Sequence, residues 1–431
     1  MHAFTRRALV VLCTWAGMSL VTGCKAPAGS QPTPEKAKLT GAVSAAPVAT
    51  PAEPPALPPF EAGSAESGKG LVAQFECNRC HEGTGLAAPK LDQDCVRCHE
   101  QIATDKFQAT PAKLAKWKPH IMAYRDVPSL SSLGRLRPAW VMAYLLSPRD
   151  LRPHLAPTMP RLDLSREQAR DIATYLTQGA GAVAASTVKV TPDAGQVAHG
   201  KQLMSERACT GCHQMTGSGL AAPPQVEPTP RTQGLAPDLR FARERAEPAA
   251  LAQWLLDPTR VKHDAAMPNL ALTPDDARDL AAFLSFARLE TPPIASVPPR
   301  LPVLSRRVGF DEVNEQVFAV TCRHCHTNPD SAGGDGGPGN TGGFGFKPRK
   351  IDFSSYQGIH SGGVTHQGER VSLFAQTKEG LPRLVAALVA RQREDIGQIS
   401  DDVRGMPLGL PPLTAEQIQL VESWVEQGRP L

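Results

Sequence analysis

The pattern Cys-x-x-Cys-His occurs four times in this chain of 431 residues, at Cys77–His81, Cys95–His99, Cys209–His213 and Cys322–His326. It is the attachment signature of c-type haem. Two thiols add to the two vinyl groups of one porphyrin, and the adjoining histidine becomes the proximal iron ligand, so the porphyrin itself dictates residue type and spacing. A fold built on four such motifs has to wrap four flat, largely apolar groups. The composition agrees: aromatic residues are only 5% of the chain, and 36 Gly with 41 Pro point to long loops around modest cores that porphyrins would fill.

Cys77, Cys80, Cys95 and Cys98 also approach the spacing of a four-cysteine zinc ribbon. Histidine fills only 12 of 431 positions, however, so its presence after all four pairs has chance odds of roughly one in a million. The remaining pairs, Cys209 with Cys212 and Cys322 with Cys325, have no second pair to share a zinc ion. A thioredoxin-like motif would need a βαβ context, which none of the pairs has. Haem thus accounts for eight of ten cysteines and leaves Cys13 and Cys24, with no structural disulfide to propose.

The first 23 residues read as an export signal, with Arg6 and Arg7 ahead of an apolar stretch from Ala8 to Leu20 that is too short to span a bilayer. Val21-Thr22-Gly23-Cys24 resembles a bacterial lipobox, which makes Cys24 the expected lipidation site and the first residue of the mature chain. A plain secretory signal and an uncleaved anchor are the alternatives. Several acyl chains on one cysteine hold a protein stably on a membrane. Lys25 resembles an outer-membrane sorting pattern, so the expected location is the bacterial cell envelope, lipid-anchored and facing the periplasm. The formal charge of +4 is small and the basic residues do not cluster, so no nucleic-acid partner is expected.

Residues 24–62 are rich in Pro, Ala, Ser and Thr and read as a disordered tether. Breaks of similar composition at Gly181–Pro192 and Thr291–Pro302 divide the rest into 63–180, 192–290 and 303–431. The first two are copies of one unit. Gly68-Lys69-Gly70-Leu71 and Gly200-Lys201-Gln202-Leu203 stand nine positions before their motifs, Gly85–Pro89 recurs as Gly219–Pro223, and Met159-Pro160 with the following helix recurs at Met267-Pro268. Each unit reads as a helix leading into the motif, a loop, a middle helix, a methionine loop and a closing helix. Ser165 with Gln168, Thr273 with Asp276, and Thr414 with Gln417 are placed to cap the closing helices, and Pro274 suits a first helical position. Ile172, Tyr175 and Leu176, like Leu280, Phe283 and Leu284, fall on one helical face. The third unit is looser: Val313, Val317 and Val320 lead into Cys322, a Gly-rich stretch over Gly333–Gly345 reads as a flexible loop, and Ile418, Val421, Trp424 and Val425 mark its closing helix.

Met159, Met267 and Met406 each precede a proline, follow a motif by 54 to 80 residues and stand just before a capped helix. That recurrence marks them as sixth iron ligands, which as thioethers opposite histidine raise the reduction potential. Each unit therefore resembles a class I cytochrome c domain, a resemblance covering about residues 63–431. It implies an all-α fold of three tandem cytochrome c-like domains, four covalent haems, a porphyrin edge exposed for electron exchange, and the iron pairs His81 with Met159, His213 with Met267 and His326 with Met406.

The motif at Cys95–His99 stands apart. It lies in an insertion, about Lys90–Val127, and has no Met-Pro loop. His120 is the expected sixth ligand, with Met122 or an open position as alternatives; His154 and His263 read as loop residues. A tetrahaem carrier serving redox partner proteins is the expected function. The alternative is a peroxidase-like enzyme with an open site at His99, served by arginines such as Arg125, Arg135 and Arg137, which otherwise read as solvated. Methionines that follow their motifs argue against a reaction-centre tetrahaem subunit, in which they precede them.

Overall fold

The helices begin where side-chain oxygens take up otherwise free amides. Ser64 Oγ accepts from the Ser67 N–H at 3.1 Å and opens the leading helix Ala65–Gln74, and Asp193 accepts from the Gln196 N–H at 2.8 Å and opens Ala194–Glu206. The closing helices Arg166–Gln178 and Ala415–Glu426 start in reciprocal capping boxes, Ser165 with Gln168 and Thr414 with Gln417. The closing helix Pro274–Phe286 has its expected proline and the Thr273 cap, but the Asp276 carboxylate turns away to pair with Arg207 at 2.6 Å. The computed structural model describes residues 51–53, 57–121, 126–149, 151–155, 159–178, 188–293, 296–327, 343–365 and 367–431, with His120 in its backbone only. The signal segment, Cys24, Met122, Arg125 and most of the Gly-rich stretch lie outside them.

From Val48 onward the chain is one compact unit, and three apolar clusters make up its core. One gathers Val72, Trp140, Val141, Ile172 and Leu176. A second gathers Leu203, Met204, Leu255, Leu280, Phe283 and Leu284. The third is rich in aromatic residues and centres on Phe318, Val385, Val421 and Trp424. In the first two, the leading and closing helices cross at a glycine. A Cβ on Gly68 would lie 2.1 Å from the Asp171 carbonyl oxygen, and one on Gly200 would lie 2.1 Å from that of Asp279. The middle helices Pro138–Leu146 and Pro248–Leu256 both begin on proline and complete these two cores.

Several features depart from the sequence reading. The leading segment of the third region starts as an α-helix over Phe310–Val313 and widens into a π-helix over Asn314–Cys322. An additional helix, Arg383–Asp395, buries Leu384, Val385, Leu388 and Val389 in the third core. A short antiparallel pair joins Gly363–Val364 to Arg370–Val371. The described end of the Gly-rich stretch is a tight turn fixed on the first cluster: Phe344 and Phe346 pack there, and Gly345 passes so close that a Cβ would meet Phe75 at 2.5 Å. The end of the expected tether is likewise held. Ala52 N–H donates to the Phe286 carbonyl at 2.8 Å, and Leu57 and Phe60 pack on the first cluster, because these apolar side chains interrupt an otherwise solvated composition. Within the insertion, helices Cys95–Ala103 and Pro111–Trp117 form a small pair, with Ile102 and Leu114 buried. Among the described residues no helix is long and apolar enough to cross a membrane.

Candidate functional site

The first two clusters present their motifs in the same way. Each leading helix ends on a left-handed residue, Glu76 at φ 51° and Ala208 at φ 54°, and the chain enters a single 3-10 turn at Cys77–Arg79 or Cys209–Gly211. The turn projects both thiols to one side, and the histidine N–H bonds back to the first cysteine carbonyl at 2.9 Å in both copies. His81 Nδ1 lies 2.8 Å from the Pro128 carbonyl, and His213 Nδ1 lies 2.9 Å from that of Pro237. A carbonyl only accepts, so Nδ1 carries the proton and Nε2 is left with its lone pair, the tautomer a metal ligand needs. Burial lowers the pKa of both rings, against the opposing pull of those carbonyls, and keeps them neutral.

Residues 197–286 match the family model for cytochrome c. The chain carries a cytochrome c domain. No curated protein and no solved structure that was compared matches it. The family binds haem c covalently and transfers electrons, which gives the second region its cofactor and makes the protein a c-type cytochrome in character.

The cytochrome c domain shares its cavity with the first region. One cavity of about 550 Å³ is lined by Cys209, Cys212, His213 and Met267 and, on its other side, by Cys77, Cys80, His81 and Met159. The walls are mainly apolar, with arginines at the seam between the two regions. Arg135 lies over Trp254 at 5.1 Å, and Arg245 lies over Trp140 at 5.2 Å, where Trp140 stacks on Tyr144. Arg135 and Arg245 both stand three residues before the first residue of their middle helices, so the contact is reciprocal. Burial pushes both guanidinium groups down to about 10, and the Nε of each is sealed from solvent with no hydrogen-bond partner. The sequence reading took Arg135 and Arg137 as solvated; instead Arg135 lines this cavity and Arg137 pairs with Glu247 at 3.1 Å. Asp264 on the same wall offsets part of the Arg135 charge, yet the Nε donors of both arginines stay unsatisfied, which favours an acceptor group in the cavity. Haem propionates would supply such acceptors, so the apolar walls, the paired thiols, the free Nε2 atoms and the unsatisfied Nε donors together fit the group. Arg135 and Arg245 occupy matching positions ahead of their middle helices, and the sequence offered no sign that each would pack on the other copy's aromatic residue.

The motif at Cys95 has another backbone. Cys95, Cys98 and His99 lie within the α-helix Cys95–Ala103, capped by Asp94, which accepts from the Arg97 N–H at 2.9 Å. It still sits against its neighbour as the short spacing required: a side-chain hydrogen bond to Cys95, with burial, pushes the Cys80 thiol well up. His99 is held down to about 4, first by burial and then by electrostatic interaction with His324 of the Cys322 motif. The backbone of His120 ends the 3-10 turn Lys118–His120, directly after the helix that pairs with the motif helix. His263 is exposed on its loop and His154 lies in a turn.

At the fourth motif in chain order, the π-helix delivers Cys322 into the third core, where burial pushes its thiol up to about 12. His326 bonds through its N–H to the Cys322 carbonyl at 3.0 Å and is held down to about 4 by burial alone, with its ring 5.8 Å from that of Phe353. The Met406 N–H donates to the Ala387 carbonyl at 2.9 Å, which ties its loop to the additional helix. Neither His326 nor Met406 lines the shared cavity.

Proposed function

We propose that this chain is a tetrahaem c-type cytochrome of three cytochrome c-like domains, anchored through lipidated Cys24 to a bacterial envelope membrane, the outer one by its sorting residue, and passing single electrons between periplasmic redox partners. The observation that carries the reading is the one cavity lined by two complete sets of motif and methionine. Haem supplies the one-electron chemistry by cycling between ferrous and ferric iron. The chain supplies everything that positions and tunes it. His81 and His213 present unprotonated Nε2 atoms, Met159 and Met267 stand on the cavity wall as sixth ligands, and Arg135 and Arg245 oppose the acid groups. Adjacent motifs keep the steps short: the Cys80 and Cys95 side chains lie against each other, and His99 interacts with His324. His99 pairs with His120, and His326 with Met406.

Intact mass of the purified holoprotein counts covalent haems, and spin state with carbon monoxide binding counts open iron sites. Four haems, all low-spin and none binding carbon monoxide, are expected. Three or fewer haems end the tetrahaem reading, and a high-spin, ligand-binding haem lost with His99→Ala ends the carrier reading in favour of an enzyme. Cys24→Ser is expected to release the protein from membranes.

A further inference from the structure

The loops bearing Met159 and Met406 meet at one carboxylate. Glu394, in the last turn of the helix Arg383–Asp395, has only 7% of its side chain exposed. Its Oε1 accepts from Arg161 Nε at 3.1 Å and Nη2 at 2.9 Å, and also from the Gly405 N–H at 3.1 Å. Arg161 stands two residues after Met159, and Gly405 immediately precedes Met406. Arg404 closes the arrangement: it donates to the Arg161 carbonyl, pairs with Asp163 at 3.3 Å and lies over the Phe346 ring at 4.6 Å. The fit is close, since a Cβ on Gly405 would fall 2.5 Å from Glu394 Oε2 and 2.8 Å from Arg391 Cα. A carboxylate is poorly placed near the C-terminal end of a helix, where the backbone already presents negative charge. Arg161 and the Gly405 amide offset that cost. Among the described residues the second region has no such link. At the position of Arg161 it carries Asn269, whose Oδ1 accepts from its own loop at the Ala271 N–H, 2.8 Å away.

We propose that Glu394 is a positioning residue shared by two haem sites, one oxygen fixing both methionine loops so that Met159 and Met406 hold or leave their irons together. This rests on the reading of those methionines as iron ligands. The test uses the ferric holoprotein, whose methionine methyl resonances are assigned by Met159→Ala, Met267→Ala and Met406→Ala and then followed as imidazole displaces each ligand. A signal unaltered by its own substitution overturns the ligand reading, independently of the link. With Glu394→Ala, Met159 and Met406 are expected to yield at roughly tenfold lower imidazole, the loss of a charge-assisted hydrogen bond, while Met267 stays in place. Glu394→Gln keeps the accepting oxygen and is expected to remain within about twofold of the parent. Should Glu394→Ala not fold, Arg161→Gln breaks one half alone and is expected to loosen Met159 but not Met406. Equal loosening of all three methionines, or a response at neither Met159 nor Met406, overturns the proposal.

Discussion

Gly68 and Gly70 lie two residues apart in one leading helix, and the structure assigns opposite effects to the same substitution at the two positions. A Cβ on Gly70 meets nothing within 4 Å, so Gly70→Ala changes little beyond helix propensity, and alanine there gains up to about 1 kcal/mol. A Cβ on Gly68 would stand 2.1 Å from the Asp171 carbonyl oxygen, 2.7 Å from its carbonyl carbon and 2.7 Å from Tyr175 Cβ. Two of these atoms are backbone, so no rotamer change relieves the contact, and the crossing helices must part by roughly 1 Å or more to reach ordinary contact distance. Overpacking of this kind costs about 1–3 kcal/mol, which exceeds the propensity gain. Gly68→Ala is therefore expected to lower stability by about 1–2 kcal/mol, and Gly70→Ala to raise it by a few tenths to about 1 kcal/mol. Urea unfolding of the holoprotein, followed through the Soret band and helical circular dichroism, reads both. A Gly68→Ala protein as stable as the parent would refute the close crossing, and by the same geometry would refute it for Gly200.

Thr414→Ala removes one arm of a complete capping box and is expected to cost about 1 kcal/mol in the same assay. Arg245→Leu takes a buried positive charge from the cavity wall, which eases the ferric state, so the midpoint potentials of both haems of the pair are expected to fall by roughly tens of millivolts in a redox titration; potentials left unchanged would remove Arg245 from the site. Burial holds His326 down to about 4, from an ordinary histidine value of 6.5. The folded chain therefore refuses a proton that the unfolded chain accepts. Stability is full above about 6.5 and declines by as much as about 3 kcal/mol as pH falls to about 4, with iron on the ring acting in the same direction. Denaturation midpoints measured between pH 7 and pH 4 test the sign.

The lining of the shared cavity was largely legible in the chain, because motif spacing and the repeat are local constraints. Cysteine spacing, the following histidine, and the recurrence of Met159-Pro160 and Met267-Pro268 all report on local constraints, and both methionines do stand on the wall of the cavity that holds their histidines. The closing helices were legible for the same reason, since a capping hydroxyl and its acceptor lie three residues apart. What the chain did not disclose is held by contacts between distant segments. The carbonyls of Pro128 and Pro237 orient His81 and His213 from 47 and 24 residues away, and a carbonyl has no signature in a sequence. Phe344 meets Arg79 at 5.4 Å from within a stretch whose glycines suggested only flexibility. The π-helix ending at Cys322 has no periodicity that separates it from an α-helix over nine residues.

The seam and the methionine loops play different parts at the two haems proposed for the shared cavity. At the seam the copies are matched: Arg135 and Arg245 hold equivalent positions, each packs on an aromatic residue of the other copy, and both face one cavity. Matched arginines place a positive charge beside each of the two haems proposed for the cavity. Outside the seam the copies differ at the residue two beyond each methionine. Arg161 is tied to Glu394 in the third region, whereas Asn269 bonds only within its own loop. A charged pair held beside one methionine and absent beside the other is one difference that can set a downhill direction between the two sites. It follows that Arg161→Asn combined with Glu394→Gln, which removes both charges of that pair, is expected to bring the two midpoint potentials closer together, and a gap left unchanged in a redox titration would place the asymmetry elsewhere.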